Sequence, residues 1–303
     1  MRIYDLQAKV DDDDMLRTYE DFIGFAGQYI SYISAGKEIH PNIQADIVSV
    51  KENHYHFIQY KDDGHHCITR PINMELFLSE NEFEQAVNDF KKSLTDVRSI
   101  CDEYLLRENI NRVIYTCQQC VGCTLDAFNN PNKARKRNGM LFEILIRSVI
   151  NAAGIRCDSF DEVIRLGKNE TMKFQHDIVL KNEEDSVIGI GQLKTTSKDR
   201  IDKIFLDKSM YNSLTKTDIP HFAVFLNDVQ RASTKDGKYS ISSTFLPGHF
   251  KAYTMALNPL DGVYYFDPRP VMSKDEFLSR RIAKFDKFLV EDMWNLPKKT
   301  YGV

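Results

Sequence analysis

The chain lacks any apolar run near the ~18 residues that a membrane span needs. Its opening residues, Met1-Arg2-Ile3-Tyr4-Asp5, lack the apolar core of a secretory leader. Both absences point to a cytoplasmic protein with no membrane partner. No internal repeat or low-complexity segment stands out, which sets aside repeat architectures. A basic excess is missing too: the formal net charge is -4. That argues against a non-specific nucleic-acid binder with a broad basic face. It leaves room for a specific one, because local charge outweighs the total. The charge is uneven. Asp11 to Asp14 form an acidic run, read as an exposed loop or helix start, while Lys133, Arg135, Lys136 and Arg137 lie in a stretch without an acid.

What is present fits an ordinary soluble globular protein. The 303 residues suffice for one large domain or two modest ones, with 42% hydrophobic and 28% charged residues. The six cysteines are expected to be reduced in a cytosolic setting. Cys117, Cys120 and Cys123 form a CxxCxxC run that invites two readings. A zinc site would need a fourth ligand, for which His65, His66 or Cys67 are candidates. The same spacing also sets three small residues along one helix face.

Hydrophobic spacing predicts a helix over residues 15–35 and strands over 46–60 with a turn at Asn53-His54. Ser79 and Glu82 read as a capping box opening a helical stretch to about Leu106. Asn129-Asn130-Pro131-Asn132 is the strongest punctuation, and a loose boundary is placed there. It separates an α+β N-terminal region, 1–130, from a second domain, 131–303. Beyond it comes an apolar helix ending near Gly154, then strands over Phe174–Leu180 and Ser186–Lys194 joined by a hairpin. A helix over about Asp199–Leu214 and a buried strand from His221 to Leu226 follow. Lys251–Leu257 and Gly262–Phe266 read as strands and Lys274–Val290 as a final helix. The expected fold class is α/β, a mixed central sheet flanked by helices.

The chemistry concentrates in Gly191-Gln192-Leu193-Lys194-Thr195-Thr196-Ser197-Lys198-Asp199-Arg200, with His176-Asp177 before it and Asp207 after it. Pairing of the two strands would set Asp177 beside Lys194. Carboxylates can hold Mg²⁺, which polarises a phosphate and activates a water. A lysine beside that water can orient it and stabilise developing charge. Each residue also has a plainer reading: Asp177 as a strand-end acid, Lys194 as a snorkelling lysine, Asp207 as a solvated helix residue. Glu143 could likewise be the ion-pair partner of Arg147 one turn on.

Together the motifs resemble the PD-(D/E)xK nuclease superfamily, with His176 in place of the proline and Gln192 in place of the usual acid. They are similar to its EcoRII-like group of type II restriction endonucleases, whose members cut CCGG-, CCNGG- or CCWGG-type sites. That branch carries the displaced acid 13 residues after the lysine, where this chain has Asp207 rather than the commoner glutamate. Its Lys-Thr-Thr-x-(Arg/Lys)-(Asp/Glu)-Arg run is matched from Lys194 to Arg200, and its basic segment leading into Gly-x-x-x-Glu is matched by Arg135-Lys136-Arg137-Asn138-Gly139 through Glu143. The resemblance covers roughly residues 133–210 and implies a restriction-endonuclease-like core. It implies Asp177, Asp207 and Glu143 as acids of a Mg²⁺ site, with Lys194 catalytic.

Lys198, Asp199 and Arg200 carry donors for guanine O6 and N7 and an acceptor for cytosine N4. The resemblance implies that they read C·G pairs of a CCGG- or CCNGG-like site in double-stranded DNA. Asp199 also suits a helix cap, and the two uses are compatible. Arg135 and Arg137, with Lys133 and Lys136, are candidate phosphate contacts, or a solvated basic loop. A palindromic site implies a homodimer or higher oligomer. Residues 1–130 are expected to serve dimerisation or flanking DNA contacts. The competing readings are a repair nuclease or junction resolvase, and a non-catalytic DNA-binding protein on the same fold.

Overall fold

The computed structural model describes residues 2–34, 47–51, 53–60, 65–197, 200–233 and 239–296. The chain begins with α1 (Ile3–Asp11), α2 (Tyr19–Ser34), β1 (Ile47–Lys51), β2 (His54–Tyr60), β3 (His66–Ile68), β4 (Ile72–Asn73), α3 (Glu80–Thr95), α4 (Tyr104–Asp126) and α5 (Pro131–Ala152). Next come β5 (Arg156–Arg165), β6 (Thr171–Lys181), β7 (Val187–Thr196), α6 (Ile201–Thr215), β8 (His221–Asn227), β9 (Val229–Ser233) and β10 (Tyr239–Ser243). The last are α7 (Pro247–Ala256), β11 (Gly262–Asp267), α8 (Pro270–Lys274), α9 (Glu276–Ser279), β12 (Ile282–Lys284) and α10 (Phe285–Val290).

These elements form two compact units, dividing after Val149 rather than at residue 130. The punctuation at 129–132 instead starts α5, where Asn130 Oδ1 accepts the N–H groups of Asn132 and Lys133, both at 3.1 Å. The first unit comprises Met1–Thr95, Glu103–Val149 and Val229–Ser243. It is built around α4, which packs against α1, α2 and α3 and is buried at every position from Val113 to Leu125. A helix covered all round belongs to a core, not a surface. Cys117, Cys120 and Cys123 lie on it as free thiols. Burial pushes all three upward in pKa, Cys123 to about 12, as befits small apolar filling. Among the described residues no three His, Cys, Asp or Glu side chains group so as to hold a metal, and His65 and His66 are exposed. The expected helix reaching Leu106 is broken: α3 stops at Thr95 and α4 starts at Tyr104.

The second unit, Asp96–Asp102, Ile150–Asp228 and Thr244–Val303, carries a six-stranded mixed sheet in the order β12-β11-β8-β7-β6-β5. The β5-β6-β7 part is antiparallel, and β7, β8, β11 and β12 run parallel. Strand β8 is buried throughout, which its continuous apolar run predicts for the centre of a parallel sheet. Alternate residues feed opposite faces. Ala223, Phe225, Val263 and Tyr265 pack with Ile201, Ile204, Phe205 and Phe250 from α6 and α7. Phe222, Tyr264 and Phe266 meet Phe288 and Phe285 of α10, with ring centroids 4.5–5.0 Å apart. The fold is thus α/β, a mixed sheet flanked by helices.

Two segments correct the sequence reading. Lys251–Leu257 lies largely within helix α7, which Pro247 opens and which buries Phe250 and Thr254 one turn apart. The expected helix from Lys274 to Val290 is interrupted: Asp275 caps the short α9 by accepting from Phe277 and Leu278, and Ile282–Lys284 joins the sheet as edge strand β12. Strand β5 escaped notice because it is an edge strand, mostly exposed and heavily charged.

Candidate active site

The site is built at a fork in the sheet. The β6–β7 hairpin closes through Asn182, whose Oδ1 accepts the N–H groups of Glu184 and Ser186 at 3.1 and 2.9 Å. Asp185 takes the left-handed conformation there, φ 65°, which Asp tolerates better than most residues. Among the described residues, the β6–β7 ladder runs from Lys181↔Val187 to Ile178↔Gly191 and no further. Beyond that point β6 stays paired with β5 (His176↔Phe160) and β7 with β8 (Lys194↔Phe225). The strands therefore part at Asp177, whose carboxylate takes up the next backbone donor, Leu193 N–H, at 2.8 Å.

Gly191 sets the packing at the fork. A Cβ there would lie 2.5 Å from the Phe222 ring and 3.0 Å from Ile178 Cβ. Both neighbours are buried and rigid, so Gly191→Ala is expected to destabilise the protein by about 1–3 kcal/mol, seen as a lower denaturant midpoint.

Lys194 Nζ donates to Asp177 Oδ2 at 2.5 Å and to Gln192 Oε1 at 3.2 Å. Gln192 is anchored in turn, its Nε2 donating to the carbonyl of Gln175 at 3.0 Å. Gln192 thus presents a fixed neutral oxygen to the lysine. Asp207 projects from α6 into the same electrostatic neighbourhood. Burial raises its pKa above the ordinary carboxylate value; Lys203, Lys194 and His176 oppose the rise and Asp177 adds to it. The structure therefore pairs Asp177 with Lys194 and sets Asp207 in electrostatic reach of both within the second unit.

The sequence reading missed the residues behind Asp207. One turn further along α6, Tyr211 donates its hydroxyl to Glu162 Oε2 on β5 at 2.9 Å. His176 lies against Phe174 and Tyr211, with ring centroids 6.2 and 5.2 Å away, and its Nε2 is 3.8 Å from Glu162 Oε2. Burial lowers the His176 pKa, against the pull of Glu162, Asp207 and Asp177, so the ring is neutral at pH 7. The imidazole of His176 is thus wedged between α6 and the sheet. Glu162 sits in a charged edge strand, and no local spacing marks it.

The remaining candidates are placed as follows. Glu143 belongs to the first unit, where its Oε2 lies 3.7 Å from Arg147 one turn on. Arg135 is exposed on α5 and donates to Asn132. Arg137, expected at DNA phosphates, is corrected: it is buried, and its guanidinium donates to Val10 O at 2.5 Å, Asp12 O at 2.6 Å and Asp13. Lys133 pairs with Asp11 at 2.7 Å. The acidic run at the end of α1 thus neutralises part of the basic segment within the first unit. Arg200 is exposed at the N-terminus of α6. Lys198 and Asp199, and with them the possible Asp199 cap, lie outside the described residues.

Hard oxygen donors dominate this site: two half-buried carboxylates and the amide oxygen of Gln192. That donor set fits Mg²⁺, which is held by one or two carboxylates and completes its shell with water and substrate phosphate. Among the described residues, no helix is long and apolar enough to cross a membrane.

No family model matches the chain, and no curated protein matches its sequence. Its structure is similar to the crystal structure of the type IIP restriction endonuclease Kpn2I, with a TM-score of 0.72 and 17% identity over 98% of this chain and 99% of that one. A restriction endonuclease PspGI–substrate DNA complex aligns with 64% of this chain and 78% of its own at 16% identity, with a TM-score of 0.38, below the level at which two chains share a fold. The chain therefore has the fold seen in a type IIP restriction endonuclease.

Proposed function

We propose that the chain is a Mg²⁺-dependent type II restriction endonuclease. It hydrolyses double-stranded DNA at a short C·G-containing site, CCGG- or CCNGG-like, and leaves 5′-phosphate ends. The observation that carries this reading is the Lys194–Asp177 contact where β6 and β7 part, with Asp207 of α6 in electrostatic reach of both. The overall likeness to a restriction endonuclease fold supports it.

Asp177 and Asp207 are the residues that would hold Mg²⁺, which supplies phosphate polarisation and a more acidic water when bound. Glu143 is carried into that role by the resemblance alone. Lys194 is pinned by Asp177 and Gln192, so its ammonium is fixed before substrate arrives. It orients the attacking water and balances the charge that builds on the phosphate. A new P–O bond forms from that water as the bond to the 3′-oxygen breaks, and the leaving oxygen ends as a hydroxyl. Lys198, Asp199 and Arg200 follow β7 directly and supply the donors and acceptor for C·G pairs. Exposed Arg135 is a phosphate contact of lower specificity. A palindromic site calls for two active sites related by a two-fold axis, hence a homodimer.

The neutral Gln192 and the imidazole of His176 favour one second reading, a DNA-binding protein without cleavage. Incubating linear and branched duplexes with Mg²⁺ or EDTA decides between the readings. Cutting of linear duplex in Mg²⁺ and none in EDTA is expected. Preference for branched DNA would make the protein a repair nuclease or resolvase, and binding without cutting under any divalent ion would make it a binding protein.

A further inference from the structure

One buried side chain joins the elements that carry both proposed Mg²⁺ acids, and the chemistry above makes no use of it. Tyr211 lies on α6 one turn beyond Asp207, so the two residues share a helix face. It is 5% exposed, and its ring is boxed in from two strands. Phe174 and His176 of β6 meet it edge-on, with ring centroids 5.4 and 5.2 Å away, and His221 of β8 lies at 5.4 Å. His176 is the residue immediately before Asp177. From this box the Tyr211 hydroxyl donates to Glu162 Oε2 on β5 at 2.9 Å.

A second anchor holds the same helix. Buried Lys208 donates to Asp261 Oδ2 at 2.7 Å and to the carbonyl of Pro259 at 2.6 Å. At ~100° per residue, Lys208 and Tyr211 stand about 60° apart around the helix axis. One anchor leaves a helix free to pivot about it, whereas two at different angles fix its rotation. That rotation decides where Asp207, the residue before Lys208, places its carboxylate.

We propose that Tyr211 is a positioning residue for the Mg²⁺ site: tied to Glu162 and packed on His176, it sets the place of Asp207 relative to Asp177. The inference rests on the DNA-cleavage reading above. Mg²⁺ demands near-ideal octahedral geometry, so two carboxylates that hold it tolerate little error in their separation. Groups behind the ligands then bear on affinity without touching the ion.

The tie can be cut without emptying the core. Tyr211→Phe removes one oxygen and keeps the ring packed, and the Glu162 side chain is 33% exposed, so water takes over the lost contact. Glu162→Leu removes the acceptor, while Glu162→Gln keeps an acceptor oxygen and removes the charge. Each variant is measured three ways: the Mg²⁺ concentration for half-maximal single-turnover cleavage, Mn²⁺ binding to DNA-free protein followed by the electron paramagnetic resonance of the free ion, and Tm in EDTA. Tyr211→Phe and Glu162→Leu are expected to weaken both metal readouts by roughly 10-fold, and Glu162→Gln to restore them toward wild type. Unchanged metal readouts in Tyr211→Phe overturn the proposal even where Tm in EDTA falls, because the tie then serves the fold alone. A Glu162→Gln variant as impaired as Glu162→Leu also overturns it, because the charge of Glu162 and not its bond to Tyr211 then governs the site. Should wild type cut no DNA in Mg²⁺, the DNA-cleavage reading fails and takes this inference with it, a result distinct from either of those.

Discussion

Lys194→Ala is expected to lower the rate of DNA cleavage by roughly 10²–10⁴-fold and to leave sequence-specific binding close to wild type. The geometry explains both halves. The ammonium is held at 2.5 Å by Asp177 and at 3.2 Å by Gln192, a pre-set position that water or a flexible side chain does not reproduce. Binding is expected to survive because the base reading proposed above falls to Lys198, Asp199 and Arg200, which are different side chains. Folding survives because Asp177 keeps the Leu193 N–H at 2.8 Å after the lysine is lost. Single-turnover cleavage and a gel-shift titration in Ca²⁺ or EDTA check the two halves separately. Wild-type cleavage by Lys194→Ala would remove this lysine from the chemistry.

Asp207→Asn is expected to separate stability from function in the opposite sense. Burial raises the Asp207 pKa, and Asp177 adds to the rise. An acid whose folded-state pKa lies above its unfolded value binds its proton more tightly in the fold, so its ionisation weakens the fold. Stability from this group is full below the unfolded pKa and is lost as pH rises through the folded one. The neutral asparagine escapes that loss. In EDTA, Tm should therefore rise by on the order of 1–3 °C at pH 8, and the gain should shrink as pH falls through the carboxylate range. Cleavage should fall by roughly 10²-fold or more, because one of the two carboxylates proposed to hold Mg²⁺ is gone. Thermal melts from pH 4 to 8 beside cleavage assays check both. A lower Tm at pH 8 would show that Asp207 is a structural ion-pair partner instead.

How legible these residues were depended on how local their partners are. Asp177 and Lys194 could be read because a hairpin joins them, and hairpin pairing follows from alternation and a turn. Asp207 could be read because α6 starts shortly after β7, so a fixed offset along the chain becomes a fixed position in space. Arg137 was misread because the residues that consume it, Val10, Asp12 and Asp13, lie more than a hundred residues away. Glu162 was missed for the same reason, since Tyr211 is 49 residues further on and β5 carries no apolar alternation. The buried α4 shows the same limit from another side. Its cysteine spacing is compatible with a ligand set, and only packing by α1, α2 and α3 makes those thiols core atoms. The final helical run failed at Asp275 and Ile282 because a cap and an edge-strand pairing outweigh helical periodicity.

The most direct measurement is to incubate the wild-type protein with unmethylated plasmid of known sequence in Mg²⁺ and to sequence the resulting ends. The account predicts discrete fragments whose 5′-phosphate ends all fall at one repeated C·G-containing motif. Ends scattered without a motif, or DNA left intact under every divalent ion while still bound, would contradict it.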